Sequence, residues 1–312
     1  MLSLLVACSV RSIRPPAATA IDPDDLAELW MEPRDLEERD LFYGVGGRAL
    51  APDPAAVFRF RAEKKGLRGF SPAYDVEDER GRTWNAKLGA ESRPEVLASR
   101  IIWALGYHQP PTYYLANWKL ERDGSESEQG NARFRPQLQT LDRTGHWDWS
   151  DNPFLQTQAF RGLLVLMVFL NNWDLTLDNT AIYDLATEWE GVRRWYVVGD
   201  VGASISRNRG SVRQGTRGDI DGFQHQGFIR GVENGRVRFD WHGRDAYLLE
   251  NLTTADVRWT CALLARLRPA QWDAALRAAG YAPEEAARLQ ASFDERIAQG
   301  MSLPETVPTP KA

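Results

Sequence analysis

The chain has 312 residues, of which 43% are hydrophobic, and a formal net charge of −5 at a pI near 5.6. This length fits one large domain or two lobes. The mild acidity argues against the basic surface of a nucleic-acid-binding protein, so no nucleic acid is expected as a partner. No stretch reaches the roughly 18 apolar residues of a membrane-spanning helix. The two cysteines, Cys8 and Cys261, give neither a disulfide framework nor the spacing of a metal site.

Residues 1–21 form a separate N-terminal segment. Leu5-Val6-Ala7-Cys8 resembles a bacterial lipobox, in which the cysteine becomes lipidated, and a Pro/Ala-rich stretch follows as a tether would. An export signal also needs a basic region before its apolar stretch, and none precedes it here. Two interpretations stay open. The protein is a cell-envelope lipoprotein anchored through Cys8, or it is cytoplasmic with a disordered N-terminus.

The first ordered patterns indicate short helices followed by strands. Residues 22–41 carry apolar side chains among acids, as in amphipathic helical pieces broken near Pro33. Residues 57–61 alternate as a strand, and residues 73–88 read as a β-hairpin with Lys87 near the end of its second strand. A lysine inside an apolar strand is notable because the chain has few lysines, which are Lys64, Lys65, Lys87, Lys119 and Lys311.

Two glycine-containing loops could cradle phosphate. The better candidate precedes the lysine hairpin and contains Gly66, Gly69 and Ser71. Small residues allow the backbone N–H groups to approach anionic oxygens closely. A plain surface turn remains the alternative. The second loop, 43–47, is weaker because a lone Gly-x-Gly-Gly lies about 40 residues before Lys87.

A helix and a strand are expected after Lys87. Pro94 suits a first helical turn and Gly106 a C-terminal cap, so the sequence predicts a helix over 94–106. Glu95 lies in its first turn and Glu91 just before it, where the helix dipole alone would favour an acid; the family resemblance described below implies that one of them holds Lys87, with Glu95 the preferred partner and Glu91 second. Residues 112–118 read as a strand, and residues 121–134 as a polar loop.

The chemistry-bearing stretch runs from residue 163 to residue 202. An apolar run over 163–170 predicts a buried helix, after which Asp174 and Asn179 stand in Asp-x4-Asn spacing. A strand over 195–198 then ends on Asp200-Val201-Gly202. Phosphoryl transfer needs charge neutralisation and positioning, and Mg²⁺ takes oxygen ligands. Two carboxylates and one amide oxygen at the ends of such elements would supply both needs.

In this order of motifs the chain resembles the protein-kinase-like superfamily, in particular the atypical branch of HipA-type and phosphoinositide kinases. The resemblance implies an α+β, two-lobed kinase-like fold with a small β-rich N-lobe over 22–118, a mainly helical C-lobe over 119–303 and a loose tail over 304–312. It also implies ATP and Mg²⁺ as cofactors. Asp174 would be the catalytic base, Asn179 and Asp200 the metal ligands, and Lys87, held by Glu95, the phosphate contact.

The remainder of the chain fits a helical lobe. Residues 203–221 hold several arginines that could receive an acidic substrate, although a solvated loop is the commoner reading; they are Arg207, Arg209, Arg213 and Arg217. A hairpin is expected over 228–241. Helical patterns follow near 254–268, 270–279 and 283–299, the first capped by Thr254.

Three functions are compatible with these patterns. The first is a kinase that transfers the ATP γ-phosphate to a protein or small-molecule hydroxyl. The second is an inactive kinase-fold lipoprotein that acts as a scaffold in the cell envelope, where ATP is not at hand. The third is a different transfer on the same fold, such as nucleotidylation, which the sequence does not separate from the first.

Overall fold

The computed structural model describes residues 21–64, 71–189, 191–207, 216–243 and 245–305, with backbone alone at 23 and 24. Several sequence predictions lie outside these ranges: Cys8, Gly66, Gly69, Arg209, Arg213 and most of the C-terminal tail. Within them the chain is a mixed α+β structure with seven α-helices and sheets of seven, three and two strands. None of the helices in these ranges has the length and apolar character to cross a membrane.

The seven-stranded sheet carries the lysine hairpin. Its strand order is β4-β7-β3-β2-β1-β5-β6, and the pairs are antiparallel except β1 with β5. Alternate apolar side chains pack on one face around Phe58, Trp84 and Phe134, and the opposite face of β3 carries Lys87. The strands are β1 Val57–Lys64, β2 Ala73–Glu77, β3 Thr83–Leu88, β4 Tyr113–Leu115, β5 Trp118–Arg122, β6 Ser125–Gln129 and β7 Ala132–Pro136.

This sheet extends further along the chain than the sequence suggests. The predicted end of the small lobe at residue 118 falls inside it, and the predicted polar loop over 121–134 is wrong. Strands β5 and β6 form an edge hairpin, and β7 returns to pair between β3 and β4. Charged side chains on an exposed edge strand discourage pairing with further strands. Strand β6 lies at an edge of the sheet and is rich in polar and charged residues, so its composition resembles that of a loop.

The larger core is built mainly from helices and the N-terminal segment. Helix α3 begins earlier than its apolar run, because Thr157 accepts a hydrogen bond from Phe160 N as N-cap. Helix α5 is capped by Thr253 with Asp256 in a capping box, one residue before the predicted Thr254. The helices are α1 Pro23–Ala27, α2 Ser92–Ala104, α3 Gln158–Phe169, α4 Ile220–His225, α5 Thr254–Ala265, α6 Pro269–Ala278 and α7 Pro283–Met301.

Two smaller sheets connect these helices. The order of the three-stranded sheet is β10-β9-β8, and its central hairpin pairs Thr180 with Val198. That pairing brings the residues just before β9 next to those just after β10. The strands are β8 Leu141–Gly145, β9 Thr180–Trp189 and β10 Val192–Val198, with a separate hairpin of β11 Ile229–Glu233 and β12 Arg236–Phe239.

The N-terminal segment, residues 22–50, packs largely against the helical core rather than against the seven-stranded sheet. Leu29, Leu36 and Leu41 are buried in the same cluster as α2, α3, α5 and α6. The Gln271 side chain on α6 donates to the carbonyl of Leu36 at 2.8 Å, and Trp30 Nε1 donates to the carbonyl of Leu105 at 2.7 Å. The segment therefore joins the end of α2 to the C-terminal helices.

Candidate functional site

The site centres on a buried lysine that three carboxylates surround. Lys87 is 8% exposed. Its Nζ lies 2.8 Å from Glu91 Oε2, 3.1 Å from Glu95 Oε2 and 2.8 Å from Asp200 Oδ2. The sequence predicts Glu95 as the partner of Lys87, with Glu91 second, and the structure brings both of them to the ammonium together with Asp200.

Three elements deliver these groups. Strand β3 ends just after Lys87, and α2 begins within a few residues on the same side of the sheet. Glu91 and Glu95 are four residues apart at the start of α2, which places them one above the other on one helix face. Asp200 follows the last residue of β10 by two positions. The lysine thus bridges the sheet, the helix and the loop after the hairpin.

Two arginines complete the cluster, and sequence reasoning missed both. Glu95 is only 1% exposed; Arg133 Nε lies 2.9 Å and Arg135 Nη2 3.2 Å from its Oε1. Arg135 also donates to the carbonyl of Gly199 at 3.1 Å. Both arginines are on β7, which pairs residue by residue with β3, so Arg133 stands opposite Lys87. Their period-two spacing is the signal for a strand, whereas the polar composition of residues 121–134 predicts a loop.

The carboxylates determine the protonation states of the cluster. Burial of the Lys87 ammonium lowers its pKa, yet the attraction of Glu95, Asp200 and Glu91 outweighs burial and the pKa is raised. Burial raises the pKa of Asp200, but Lys87, by charge and hydrogen bond, reverses this and brings the pKa to about 2. Asp200 still has 43% of its side chain exposed. Both groups are therefore charged at neutral pH, and one side of Asp200 faces solvent.

Backbone contacts fix Asn179 beside Asp200. The N–H groups of Gly199 and Asp200 both donate to the carbonyl of Asn179, at 2.8 and 3.0 Å. The Asn179 amide Nδ2 donates to the carbonyl of Asp174 at 2.8 Å. Asp174 is half-buried at the start of this loop. The predicted catalytic and metal-binding residues Asp174, Asn179 and Asp200 thus form one connected unit.

A buried arginine on α7, Arg296, binds backbone carbonyls near the end of α3, shortly before Asp174 in the chain. Arg296 on α7 donates to the carbonyls of Phe169 at 2.6 Å, Gln226 at 2.9 Å and Phe223 at 3.2 Å. The first of these is an otherwise unpaired carbonyl at the C-terminus of α3. Burial lowers the pKa of Arg296 to about 9. The sequence offers no signal for this contact, because Arg296 lies in a surface-like helical pattern far along the chain.

Arg217, which follows Gly202 in the chain, also contacts the cluster. Arg217 Nε is ion-paired with Glu91 Oε1, and its guanidinium lies 5.2 Å from the ring centroid of Trp173. Ser71, the described member of the predicted phosphate loop, donates to Glu91 Oε2 at 3.1 Å. The Glu91 carboxylate therefore contacts three groups. They are Lys87, Ser71 of the predicted phosphate loop, and Arg217 of the stretch predicted to receive an acidic substrate.

A divalent cation would find few protein ligands here. In the described ranges no group of three or more His, Cys, Asp and Glu side chains could hold a metal ion. Asn179 uses its Nδ2 as donor to Asp174, which leaves Oδ1 as an acceptor, and Asp200 is partly exposed. Two oxygen ligands suit Mg²⁺, which commonly takes one or two carboxylates plus phosphate and water. Asn179 and Asp200 would therefore suit Mg²⁺ as oxygen ligands.

The chain was compared with protein families, curated proteins and solved structures. No protein-family model and no curated protein matches the chain. Among solved structures, the crystal structure of a Helicobacter pylori proinflammatory kinase, CtkA, is similar in fold, with a TM-score of 0.46 and 12% sequence identity. That similarity covers 80% of this chain and 98% of the other chain.

Proposed function

We propose that the chain is a kinase-like phosphotransferase that uses Mg-ATP to phosphorylate a hydroxyl group. One observation carries the proposal: the Lys87 ammonium lies between Glu95 on α2 and Asp200 after β10, at 3.1 and 2.8 Å. This arrangement holds a cation next to a partly exposed carboxylate, and phosphoryl transfer depends on such charge neutralisation and positioning.

Each residue has a role that its position allows. Lys87 contacts the nucleotide phosphates, and Glu95 with Arg133 and Arg135 fixes its place. Asn179 and Asp200 hold Mg²⁺, which when bound neutralises charge on the phosphates. Asp174 accepts the proton of the acceptor hydroxyl as that oxygen bonds to the γ-phosphorus and the bond to the ADP leaving oxygen breaks. The acceptor is a protein or a small molecule. Arg217, which pairs with Glu91 beside Lys87, belongs to the stretch that the sequence predicts could receive an acidic substrate.

Nucleotide binding is tested first by thermal unfolding with ATP, with and without Mg²⁺. A ligand at one hundred times its Kd stabilises the native state by about 2.7 kcal/mol. We expect a Mg²⁺-dependent rise in Tm for the wild type and none for Asp200→Ala. Asp184→Asn, at a surface carboxylate paired with Arg194, is the matched control and should keep the rise. An equal rise in Asp200→Ala would remove Asp200 from the metal site.

Catalysis is tested separately with Asp174→Asn. The side chain keeps its size and loses its basicity, so Mg-ATP binding should persist while phosphate transfer falls at least about 100-fold, within the range of general base catalysis. Transfer is followed with radiolabelled ATP and candidate acceptors, including the chain itself. Unchanged transfer in this variant would show that another group takes the proton.

A second candidate function is a nucleotide-free scaffold in the cell envelope. The observation that favours it is that Lys87 already contacts three carboxylates and Arg217 already pairs with Glu91. The cluster is thus charge-compensated without any ligand. Absence of a Tm rise with every nucleotide tested, with and without Mg²⁺, would favour this candidate over the first.

A further inference from the structure

A cavity lies away from the lysine cluster. Its volume is about 850 Å³, which suits a small-molecule ligand. It is lined by the N-terminal segment around residues 42–54, by strand β4 with the residues after it, and by the end of α6. Strand β4 is an edge strand of the seven-stranded sheet. Lys87, Glu95 and Asp200 do not line it.

Four arginines line this cavity against one carboxylate. Three are exposed, Arg48, Arg80 and Arg277, and the fourth, Arg100, is buried. Arg277 pairs with Asp273 on its own helix at 2.8 Å. Among the described residues the other three have no carboxylate partner within ion-pair distance. The single acid in the wall, Asp53, accepts a hydrogen bond from the N–H of Ala55. The cavity therefore has an excess of positive charge.

Arg100 is the most unusual of the four. It is 2% exposed, and its Nε has no hydrogen-bond partner. Among the described residues its guanidinium makes one hydrogen bond, from Nη2 to the carbonyl of Phe42 at 3.4 Å, which is long. Gly44 makes room for the guanidinium, since a Cβ there would lie 2.4 Å from Nη1. Burying a cation without a carboxylate partner costs free energy. In this protein the Arg100 guanidinium lies in the wall of a cavity that is open to solvent.

Aromatic rings make up much of the remaining wall. Phe42, Tyr43, Tyr113 and Tyr114 line the cavity. The Arg100 guanidinium lies 5.5 Å from the ring centroid of Tyr113, and the Arg277 guanidinium 5.5 Å from that of Phe42. The Tyr113 hydroxyl donates to the backbone of the N-terminal segment, to the carbonyl of Gly47 at 3.1 Å, which fixes the ring. Flat apolar surface next to arginines is complementary to an aromatic anion.

Helix α2 separates this cavity from the lysine cluster. Glu95 and Arg100 are five residues apart, and five residues of an α-helix turn by about 500°, which leaves the two side chains about 140° apart. Glu95 faces Lys87, whereas Arg100 faces the cavity. The two sites are therefore distinct, and the second does not depend on the function proposed for the first.

We propose that this cavity, the Arg100 cavity, is a binding site for a small molecule that combines a flat ring with a phosphate or carboxylate group. The anion pairs with Arg100 and the exposed arginines Arg48 and Arg80, because guanidinium groups bind such anions through parallel hydrogen bonds. The ring packs against Tyr43 and Tyr114.

Calorimetric titration of the full chain with phenyl phosphate tests the site. Benzyl alcohol serves as the uncharged comparison and inorganic phosphate as the ringless one. We expect phenyl phosphate to bind at least tenfold more tightly than either. The double variant Arg48→Gln/Arg80→Gln, at two exposed positions, should weaken binding at least tenfold. Arg193→Gln, at an arginine with 76% of its side chain exposed, should leave binding unchanged.

A buried-site variant and a lysine-cluster variant complete the design. Arg100→Met should also weaken phenyl phosphate binding at least tenfold, with folding checked by circular dichroism; if it does not fold, the double variant decides. Lys87→Met, with folding checked in the same way, should keep phenyl phosphate binding. Equal binding by the Arg48→Gln/Arg80→Gln variant, equal affinity for benzyl alcohol, or loss of binding in folded Lys87→Met would each overturn the proposal.

Discussion

Two groups of cations lie on opposite sides of α2, and they differ in what faces them. On one side Lys87, Arg133 and Arg135 contact Glu95, with Asp200 close by. On the other side Arg100 is buried with no acid within ion-pair distance among the described residues. The same contrast appears in the titration behaviour. The acids raise the pKa of Lys87, whereas burial lowers the pKa of Arg100 to about 10, with Tyr113 and Asp40 opposing only in part.

The two groups of cations therefore differ in pairing. In the Lys87 group each cation has a carboxylate partner in the protein, whereas Arg100 has none within ion-pair distance among the described residues. Around Glu95 the cations and carboxylates are already paired, so an incoming phosphate must compete with acids of the protein. At Arg100 an incoming anion meets an unpaired guanidinium and displaces no carboxylate. Breaking the first arrangement should therefore cost stability, and breaking the second should cost little.

The largest effect is expected from Glu95→Gln. The change leaves Lys87, Arg133 and Arg135 without their shared acid, and removing one partner of a buried ion pair costs about 3–5 kcal/mol. Urea unfolding at pH 7 measures the loss. Asp184→Asn, at an exposed pair with Arg194, is the control and should cost less than about 1 kcal/mol. Equal effects of the two changes would contradict the assignment of Glu95 as the centre of the cluster.

A smaller loss is expected from Arg135→Gln. Arg135 donates to Glu95 and to the carbonyl of Gly199, at 3.2 and 3.1 Å, and hydrogen bonds to charged groups contribute about 1.5–3 kcal/mol. Since Arg133 still pairs with Glu95, we expect a loss of about 1–2 kcal/mol in the free energy of unfolding. Because the carbonyl next to Asp200 also loses its donor, the Kd for Mg-ATP should rise as well. A loss of stability with unchanged nucleotide affinity would limit Arg135 to a structural role.

Acid should weaken the first cluster over a defined range of pH. The pKa of Asp200 is about 2 in the folded protein against 3.8 for the free side chain. A lowered carboxyl pKa stabilises the fold above the unfolded value, so this contribution is lost as pH falls from about 4 to about 2. The stability difference between wild type and Asp200→Asn should shrink across this interval. Partial exposure of Asp200 limits the effect to about 1 kcal/mol. A difference that stays constant would contradict the Lys87–Asp200 pair.

The smallest change is expected from Arg100→Met. Methionine retains much of the length of the side chain and removes the cost of burying a cation, which offsets the lost contact with Tyr113. We therefore expect the free energy of unfolding to change by less than about 1 kcal/mol. A loss of about 3 kcal/mol or more would mean that Arg100 has a strong partner in the folded protein, and the contrast between the two clusters would disappear.

The sequence predicts the elements of the first site better than their surroundings. Lys87, Glu95 and Asp200 lie at the ends of strongly patterned strands and helices, so their positions follow from local periodicity. Arg133 and Arg135 meet Glu95 only because β7 inserts beside β3, and strand order is not encoded in local pattern. The loop glycines Gly66 and Gly69 lie outside the described residues, so their phosphate-binding role stays a prediction.

The second site could not be predicted from the sequence. Arg48, Arg100 and Arg277 come from three distant parts of the chain, and each alone reads as an ordinary surface arginine. What unites them is that the N-terminal segment contacts both the helical core and strand β4. Leu29, Leu36 and Leu41 are buried with the helices, and the carbonyl of Gly47 accepts a hydrogen bond from Tyr113 on β4.

That packing has a consequence for synthesis on the ribosome. The carbonyl of Leu36 accepts a hydrogen bond from Gln271, 235 residues later in the chain. At about 5–20 residues per second, the partner emerges roughly 10–50 s after Leu36. Contacts of such long sequence separation also form slowly. Leu36 is therefore made long before α6, and its side chain stays available to chaperones until α6 has been made.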